Sequence, residues 1–456
     1  IVRDLHVSGF ASATAAVARL QAAEDRPGPD APLAQRQLFQ AAVGNFAGLE
    51  RQAPLAALAA DAAAQLEAMA SREGCLSCQL DRLLILTQSS LTQRDTAAAA
   101  TALTDTAPLL ANASRQQMQW LHHLRARTYR LQGRFSEGVA EVVKATELAE
   151  QLGHSADRVA ALDQWLVLSA YLDDFDRAET LGHEAYALAE SLGNRRLMAS
   201  VQLNLGFAYS RARRSELQLQ AFKRALAITE NDPNLQLTYA ITLSNLADHW
   251  MVKSQWSNAL SYAGRAVEVS RRLDDPVTLV YALTNLGVAK AHLGDIKAGV
   301  TSIEEAVELA NRLGLRSDLI GITSELVGVY EYAGRYRDAF GTLRGIQPLQ
   351  DEINRQVRDK AVLELQEKYS AERRQREIER LADANRIKEA QLTAQTWQRR
   401  LWAVLAITLS LAAIVLVQWL AYMRRTNRRL TDNVAVLAEQ SARDPLTGAY
   451  NRRQGH

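Results

Sequence analysis

The sequence predicts an all-α protein in which a solenoid of helical repeats leads into a long signalling helix and one transmembrane helix. Three observations predict this order: a motif recurs about every 40 residues, a charged stretch without Pro or Gly follows, and a run of 23 residues without charge comes next. Apolar residues make up 48% of the 456 and prolines number only 9, which favours long helices. The 53 basic and 51 acidic residues nearly cancel, so no overall field favours nucleic acid as a partner.

Residues 1–80 form the least regular part of the chain, and we expect a helical region there without defined boundaries. Asp25–Gln35 contains three prolines and predicts a loop. The Ala-rich segment from Ala53 to Ala70 is a candidate for a further repeat, upstream of the clear ones.

Cys75 and Cys78 form a C-x-x-C pair. This spacing is used by redox pairs and by zinc sites, but a structural zinc site needs two more ligands and no second Cys pair or close His pair lies nearby. No strand-helix-strand pattern surrounds the pair either. We therefore favour two small apolar residues at a helix start, joined only in an oxidising compartment, and we predict no metal site.

The repeats occupy residues 81–348. Their turns begin at residues spaced by 40, 40, 41, 40 and 40: Gly133, Asp173, Arg213, Ser254, Gly294 and Gly334. Twelve residues after each comes a small or aliphatic residue: Ala145, Ala185, Ala225, Ala266, Ala306 and Ile346. Four residues before each turn stand Tyr129, Ser169, Tyr209, Trp250, Lys290 and Tyr330. A pair of antiparallel helices cannot bury its apolar stripe alone, so this period predicts stacked helical hairpins.

These units resemble tetratricopeptide repeats. The best matches to the family pattern are Leu205-Gly206, Tyr209, Phe222 and Ala225 in one unit and Leu286-Gly287, Gly294-Asp295 and Ala306 in another. The length departs from the family, since this period is about 40 residues and the usual one is about 34. The resemblance implies a curved solenoid whose concave face binds a peptide or protein.

A ligand groove is expected on that concave face. Asn204, Asn245 and Asn285 occupy the same place in three consecutive units, so their amides are positioned to bond an extended peptide backbone. Asp248 and Tyr281 would share the groove. The alternative is that Asn is a habitual residue at this place in the family, whatever the ligand.

Residues 349–400 contain no Pro or Gly and are rich in charge, which predicts one long helix. Its apolar residues are sparse and are spaced by roughly three or four positions, among them Ile353, Val357, Leu365 and Leu381. Such a seam fits either a weak coiled coil or a helix lying on its own solenoid. We favour parallel self-pairing and hence a homodimer.

Residues 401–423 predict the transmembrane helix. A helix of this length is roughly 35 Å long and spans a hydrocarbon core of about 30 Å. Trp397 and Trp402 stand at one end, and Trp419 and Tyr422 at the other, as interfacial aromatics do. Four basic residues lie within 15 residues of each end, so charge alone does not orient the span.

The segment 424–443 predicts a short signalling helix, with Leu430, Val434 and Leu437 forming a seam. Residues 444–456 then resemble the opening of the GGDEF family of diguanylate cyclases, Asp-x-Leu-Thr-Gly-Leu-x-Asn-Arg-Arg. The matching residues are Asp444, Leu446, Thr447, Gly448, Asn451, Arg452 and Arg453. Ala449 departs from the usual Leu.

The resemblance implies a parent enzyme that makes cyclic di-GMP from two GTP molecules with magnesium, in a dimer of cyclase domains. No Gly-Gly pair occurs in this sequence, so no catalytic residue carries over, and we expect this chain to be inactive, without a cofactor of its own. Because GTP is cytoplasmic, the C-terminal end is expected in the cytoplasm and the repeats in the periplasm of a single-pass inner (plasma) membrane protein. That topology requires an export signal upstream of Ile1.

The sequence therefore predicts the periplasmic sensory and anchoring region of a diguanylate cyclase. Two alternatives remain open at this point: a membrane-anchored tetratricopeptide-repeat scaffold for protein interactions, or the sensor of a histidine kinase.

Overall fold

We describe a computed structural model of the chain, which covers residues 13–22, 26–49 and 53–442. Within these ranges every regular element is helical. The chain divides into two units, Ile1–Ile353 and Asn354–His456. The motif residues from Asp444 to Arg453 lie outside the described residues.

The first unit contains successive helical hairpins. Its helices are α1 (Ala13–Ala22), α2 (Leu33–Ala47), α3 (Ala53–Glu73), α4 (Leu76–Thr92), α5 (Thr96–Asp105), α6 (Arg115–Leu131), α7 (Phe135–Leu152), α8 (Ser155–Tyr171), α9 (Phe175–Ser191), α10 (Arg195–Arg211), α11 (Ser215–Thr229), α12 (Gln236–Val252), α13 (Trp256–Arg272), α14 (Pro276–His292), α15 (Ile296–Arg312), α16 (Arg316–Tyr332) and the start of α17 (Tyr336–Ala442). Two 3₁₀ turns, Ala107–Asn112 and Pro233–Leu235, interrupt the series. The first helix of each hairpin packs on the first helix of the next, which is the arrangement of a solenoid.

All six predicted turns are confirmed. Their first residues adopt a left-handed backbone, with φ between 55° and 99°. The amide of the residue directly after the left-handed one donates to the carbonyl of the residue four before it: Arg134 to Tyr129 at 2.8 Å, for example, and Arg214 to Tyr209 at 2.8 Å. This is the Schellman arrangement that satisfies the last carbonyls of a helix. Glycine adopts such a φ without strain, whereas Asp173, Arg213 and Ser254 adopt it at a cost.

The single 41-residue step has a local cause. The 3₁₀ turn Pro233–Leu235 lies between α11 and α12, whereas the other equivalent connections after α7 pass from helix to helix through one left-handed residue. Asp232 accepts a hydrogen bond from the Asn234 amide at 3.0 Å and starts this turn. The extra residue therefore lies in a connection and leaves the register of the hairpins intact.

The core between the two helices of a unit follows the predicted pattern. The five alanines twelve residues after the turns are fully buried, and Leu205, Leu246 and Leu326 on the facing helices are buried as well. Gly206 and Gly287 permit close approach: a Cβ on Gly206 would lie 2.2 Å from the Phe222 ring, and one on Gly287 would lie 2.4 Å from Ile303. Helices in these hairpins thus pack closer than any side chain at those two positions allows.

The N-terminal region is more regular than its sequence indicates. Helices α2 and α3 form a hairpin of their own, and α4 begins at Leu76, before the expected start of the repeats at residue 81. Cys75 and Cys78 are joined by a disulfide bond at the start of α4, where the Cys75 sulfur also accepts the Cys78 amide at 3.1 Å. The pair therefore caps a helix.

Helix α17 ends the first unit and continues through Pro348 to Ala442, so the expected boundaries at residues 348, 400 and 423 are not breaks in secondary structure. In the first unit, Ile346 and Leu349 of α17 pack against the last core cluster. In the second unit, the helix contains an 18-residue stretch of mean hydropathy 2.3, none of it buried. This stretch is long and apolar enough to cross a membrane.

Candidate ligand-binding cavity

A cavity of about 700 Å³ lies on the inner face of the first unit. Its walls are the first helices of five consecutive hairpins, α2, α4, α6, α8 and α10. This is the face on which the sequence predicts a groove. The cavity occupies the N-terminal half of the solenoid, however, and includes the region whose sequence pattern is weakest.

Helical spacing brings the lining side chains of α6 into one stripe. Gln116, Trp120, His123, Arg127 and Arg130 follow one another by four, three, four and three residues, so all five lie on one face of the helix and line the cavity. The stripe changes from amide and aromatic at the start of α6 to basic at its end.

Asp163 of α8 is buried in the wall beside this stripe, with 7% of its surface exposed. Its two carboxylate oxygens accept hydrogen bonds from α10: one from the Ser200 hydroxyl at 2.7 Å and one from the Asn204 amide at 2.9 Å. Burial raises the pKa of Asp163, while these two bonds act in the opposite direction. The predicted groove residue Asn204 thus lines the cavity, but its NH₂ group bonds the preceding unit.

A second buried carboxylate links the other three helices of the wall. Asp81 of α4 accepts from the Gln37 amide of α2 at 2.7 Å and from the Gln117 amide of α6 at 2.8 Å. The Ser77 hydroxyl joins both glutamines. Burial raises the pKa of Asp81 to about 6, and the two amide bonds offset part of this rise. Neutral dipoles therefore hold both carboxylates of the wall in place.

Three polar atoms of the wall have no hydrogen-bond partner within the described part of the chain: His123 Nδ1, Gln164 Nε2 and Asn194 Nδ2. The side chains of Gln164 and Asn194 belong to residues that are 9% and 3% exposed. Burial, with positive Arg127 next, lowers the pKa of His123 to about 4, so its imidazole is neutral at pH 7. Buried polar atoms without a partner are costly.

The other predicted groove residues do not line this cavity. Asn285 donates to the Ser244 carbonyl at 3.0 Å, one unit back, as Asn204 does to Asp163. Asn245 is partly buried on α12, and Asp248 is exposed beside Glu325, whose pKa is raised by burial and by Asp248. Two members of the amide ladder therefore connect neighbouring units, and the role of the ladder in ligand binding stays a prediction.

Tyr281 takes part in a contact that closes the solenoid on itself. The Arg94 guanidinium, on the turn between α4 and α5, lies 2.6 Å from an Asp318 carboxylate oxygen of α16, although 224 residues separate them. The Tyr281 hydroxyl donates to the other Asp318 oxygen at 2.8 Å, and Arg94 lies over the Tyr281 ring. Sequence reasoning placed Tyr281 on the inner face but gave no indication of Arg94.

The sequence signal for the cavity was present in α6. A polar stripe with the period of a helix, on the first helix of a unit, indicates an inner face that is not filled by core packing. His249 is a packing residue, since it is buried and bonds Gln218 at 2.9 Å, whereas His123 lines the cavity.

Comparison with known proteins agrees with the architecture. The family model described as tetratricopeptide repeat matches residues 280–312, which cover most of α14 and all of α15. No curated protein matches the sequence of the chain.

Solved structures with TM-scores of 0.50 or more share the fold at low sequence identity. A Rap protein complexed with competence and sporulation factor has a TM-score of 0.57 at 14% identity, over 77% of this chain and 96% of that one. The Rap conjugation gene regulator of plasmid pLS20, in complex with the Phr* peptide, has a TM-score of 0.50 at 16% identity, over 63% of this chain and 77% of that one. BtubC from P. vanneervenii is 22% identical, with a TM-score of 0.43 over 48% of this chain and 92% of that one. The chain is thus an all-α protein with a tetratricopeptide repeat in a tetratricopeptide-like helical solenoid.

Proposed function

We propose that the chain is a membrane-anchored sensory region whose solenoid binds an extended peptide or protein segment in the cavity between α2 and α10. The observation that carries this proposal is the set of buried, unpartnered polar atoms on His123, Gln164 and Asn194. All three atoms belong to residues that line one cavity, and a folded protein rarely leaves buried polar atoms without a partner.

A peptide fits this wall better than an apolar small molecule. The lining is rich in amides, and a peptide backbone presents one donor and one acceptor per residue. Leu38, Phe46 and Trp120 add apolar surface for side chains. Two proteins with this fold are described in complex with a named factor and a named peptide, which supports the same class of ligand here.

The apolar part of α17 supports the proposed anchoring. Its 18-residue stretch of mean hydropathy 2.3 has no buried residue, which favours a lipid environment over a protein core. We place the span at residues 401–423, with the repeats in the periplasm and residues 424–456 in the cytoplasm. A topology reporter near His456 and a second one before Leu33 test this arrangement, and signals from the same side of the membrane would contradict it.

The output that we propose is control of cyclic di-GMP synthesis, from the resemblance of residues 444–453 to the start of a GGDEF domain. Ligand binding would shift the population of helix pairings in a homodimer and so the spacing of two cyclase domains. Cells that express the chain joined to an intact cyclase domain, with and without residues 76–334, test it by their cyclic di-GMP content. Equal content in both would remove the sensing role while leaving the cyclase.

The ligand-binding claim has a direct test that preserves the shape of the wall. Gln164→Glu keeps the size of the side chain but replaces its buried NH₂ donor by an acceptor. Octapeptide mixtures are incubated with the full chain in detergent, and the retained peptides are quantified by mass spectrometry. The variant loses the hydrogen bond that the NH₂ group of Gln164 would donate to the peptide. We therefore expect it to retain about tenfold less peptide than the wild type.

Gln151→Glu is the matched control, because Gln151 is exposed on α7 and the change in charge is the same. The control should retain peptides as the wild type does. If the wild type retains none, or if Gln164→Glu binds as well as the control, the cavity is not a peptide site. A scaffold without enzymatic output is the second candidate, since the cavity is complete within the repeats, and unchanged cyclic di-GMP together with peptide binding would favour it.

A further inference from the structure

The disulfide bond between Cys75 and Cys78 encloses a residue of the cavity wall. Ser77 lies between the two cysteines in the first turn of α4 and lines the cavity. Its hydroxyl accepts a hydrogen bond from the Gln37 amide of α2 at 2.8 Å, and its carbonyl accepts one from the Gln117 amide of α6 at 3.0 Å. The covalent ring therefore holds the backbone at the point where three helices of the wall meet.

One sulfur of the pair also contacts the wall directly. Cys75 Sγ lies 3.8 Å from Gln37 Oε1 of α2. The NH₂ group of the same glutamine donates to Ser77 and to the buried Asp81. A sulfur in a disulfide has no proton to donate, whereas the thiol that reduction forms is a weak donor. Reduction would therefore change the hydrogen bonding of Gln37 as well as release the first turn of α4.

The two sulfurs differ in their access to solvent. Cys78 is fully buried, whereas Cys75 is partly exposed and follows the exposed residues Glu73 and Gly74. Leu76, the next residue, is 49% exposed. Access therefore favours attack at Cys75. Both sulfurs lie at the start of α4, where the positive end of the helix dipole stabilises a thiolate that leaves the bond.

We propose that Cys75 and Cys78 form a thiol–disulfide exchange site and that reduction of their bond by a dithiol loosens the cavity wall; the consequence for ligand binding rests on the proposed peptide-binding function. A thiolate of the dithiol attacks Cys75 Sγ, the bond between the two sulfurs breaks, and Cys78 leaves as a thiolate that takes up a proton. The second thiol of the reductant then attacks the reductant's own sulfur in the mixed disulfide and releases Cys75 as a thiol. The chain gains two electrons and two protons, and the dithiol becomes a disulfide.

The small size of the ring supports a local role. A disulfide stabilises a whole fold more as the loop that it closes becomes longer. This bond joins residues only 3 positions apart, so its effect is concentrated at the start of α4. Reduction should therefore leave the solenoid folded while it releases the wall, which is what a reversible change of state requires.

The test follows the bond in the folded full chain in detergent. The chain is incubated with or without dithiothreitol, its free thiols are alkylated and counted by mass spectrometry, and hydrogen exchange is measured on both forms. Because the sequence contains 2 cysteines, both in this pair, the reagent has no other disulfide of the chain to reduce. Circular dichroism confirms that both forms are folded.

Cys75→Ser is the matched control. The Cys78 amide donates to Cys75 Sγ at 3.1 Å, and a serine hydroxyl at the same place also accepts from the first turn of a helix. The variant therefore loses the cross-link but keeps the cap, and it should behave as the reduced chain with or without the reagent. Amides of α13, which belongs to a different core cluster, serve as the internal reference.

We expect dithiothreitol to reduce the bond in the folded chain and to speed hydrogen exchange near the start of α4 and in the facing part of α2 by about tenfold, with α13 unchanged. The octapeptide mixtures should be retained about threefold less by the reduced chain, because a loosened wall is less preorganised.

Three results would overturn the inference: a bond that is reduced only when the chain unfolds, equal exchange of α2 and α4 in the oxidised and reduced chains, or exchange in Cys75→Ser as slow as in the oxidised wild type. Equal peptide retention by the two forms would overturn the effect on ligand binding. Retention of no peptide by either form would contradict the proposed function, while the thiol and exchange measurements still decide the inference.

Discussion

The close approach of α14 and α15 gives the sharpest test of the packing. Gly287→Ala adds a methyl group whose carbon would lie 2.6 Å from the Gly299 carbonyl oxygen and 2.4 Å from an Ile303 side-chain carbon. The isoleucine can rotate, but the carbonyl belongs to the backbone of α15, so the two helices must separate by roughly 1 Å to restore a normal contact.

The magnitude follows from two opposing effects. Overpacking of this kind costs about 1–3 kcal/mol. We expect about 3 kcal/mol here, because the Gly299 carbonyl oxygen belongs to the backbone and cannot move without the helix. Replacing a helical glycine by alanine returns about 1 kcal/mol of helix propensity. The net expectation for Gly287→Ala is a destabilisation of about 2 kcal/mol.

Gly264→Ala is the matched control. Gly264 lies within α13, and a Cβ there would meet nothing within 4 Å, so only the favourable propensity remains. We expect about 0.5–1 kcal/mol of stabilisation for this variant. The two variants should therefore differ by about 3 kcal/mol in stability. This difference corresponds to about two orders of magnitude in the equilibrium constant for local opening of the helices.

Hydrogen exchange, measured by mass spectrometry on the detergent-solubilised chain, reports the stability of individual helices in the two variants. Amides of α14 and α15 should exchange faster in Gly287→Ala, whereas those of α13 should exchange more slowly in Gly264→Ala. Equal protection of α14 and α15 in wild type and Gly287→Ala would refute the close approach and, with it, the packing role of the Leu-Gly pair.

Two further perturbations test the cavity wall and the closing contact. Because burial raises the pKa of Asp81 from 3.8 to about 6, the folded protein keeps this proton at pH values where the unfolded chain has released it. The free energy of unfolding should therefore fall by about 2 kcal/mol as the pH rises from about 4 to about 6. Asp81→Asn should flatten that slope in urea titrations, and an unchanged slope would contradict the assignment. Arg94→Ala removes a partly exposed ion pair, so the free energy of unfolding from urea titration should change by less than about 1 kcal/mol. The distance distribution between spin labels beside residues 94 and 318 should nevertheless widen, and an unaltered distribution would show that the pair does not hold the contact.

The regular part of the fold was predictable because it depends on local chemistry. A left-handed residue every 40 positions, an aromatic or polar residue four places earlier and an alanine twelve places later each act within one hairpin. Their positions in the structure match the sequence pattern from Gly133 to Gly334. Helix α17 was predicted in three parts because composition changes along it, although nothing in its backbone ends at those changes.

The site was less predictable because it depends on curvature, which sums over several units. Asn204 was placed correctly on the inner face, yet its bond to Asp163 arises only when α8 and α10 are stacked. The opening hairpin of α2 and α3 lacks the motif and was not recognised as part of the wall. Arg94 and Asp318 are 224 residues apart, and no periodic signal relates them.

That pairing bears on how this solenoid can change in length. In most repeat arrays each unit touches only its neighbours, so a unit can be inserted or lost at little cost. Here a bond joins positions 224 residues apart, which is between five and six periods. Adding or deleting one hairpin between them would carry Asp318 out of reach of Arg94. The number of repeats in this stretch is therefore constrained by this long-range contact as well as by the stacking of neighbouring units.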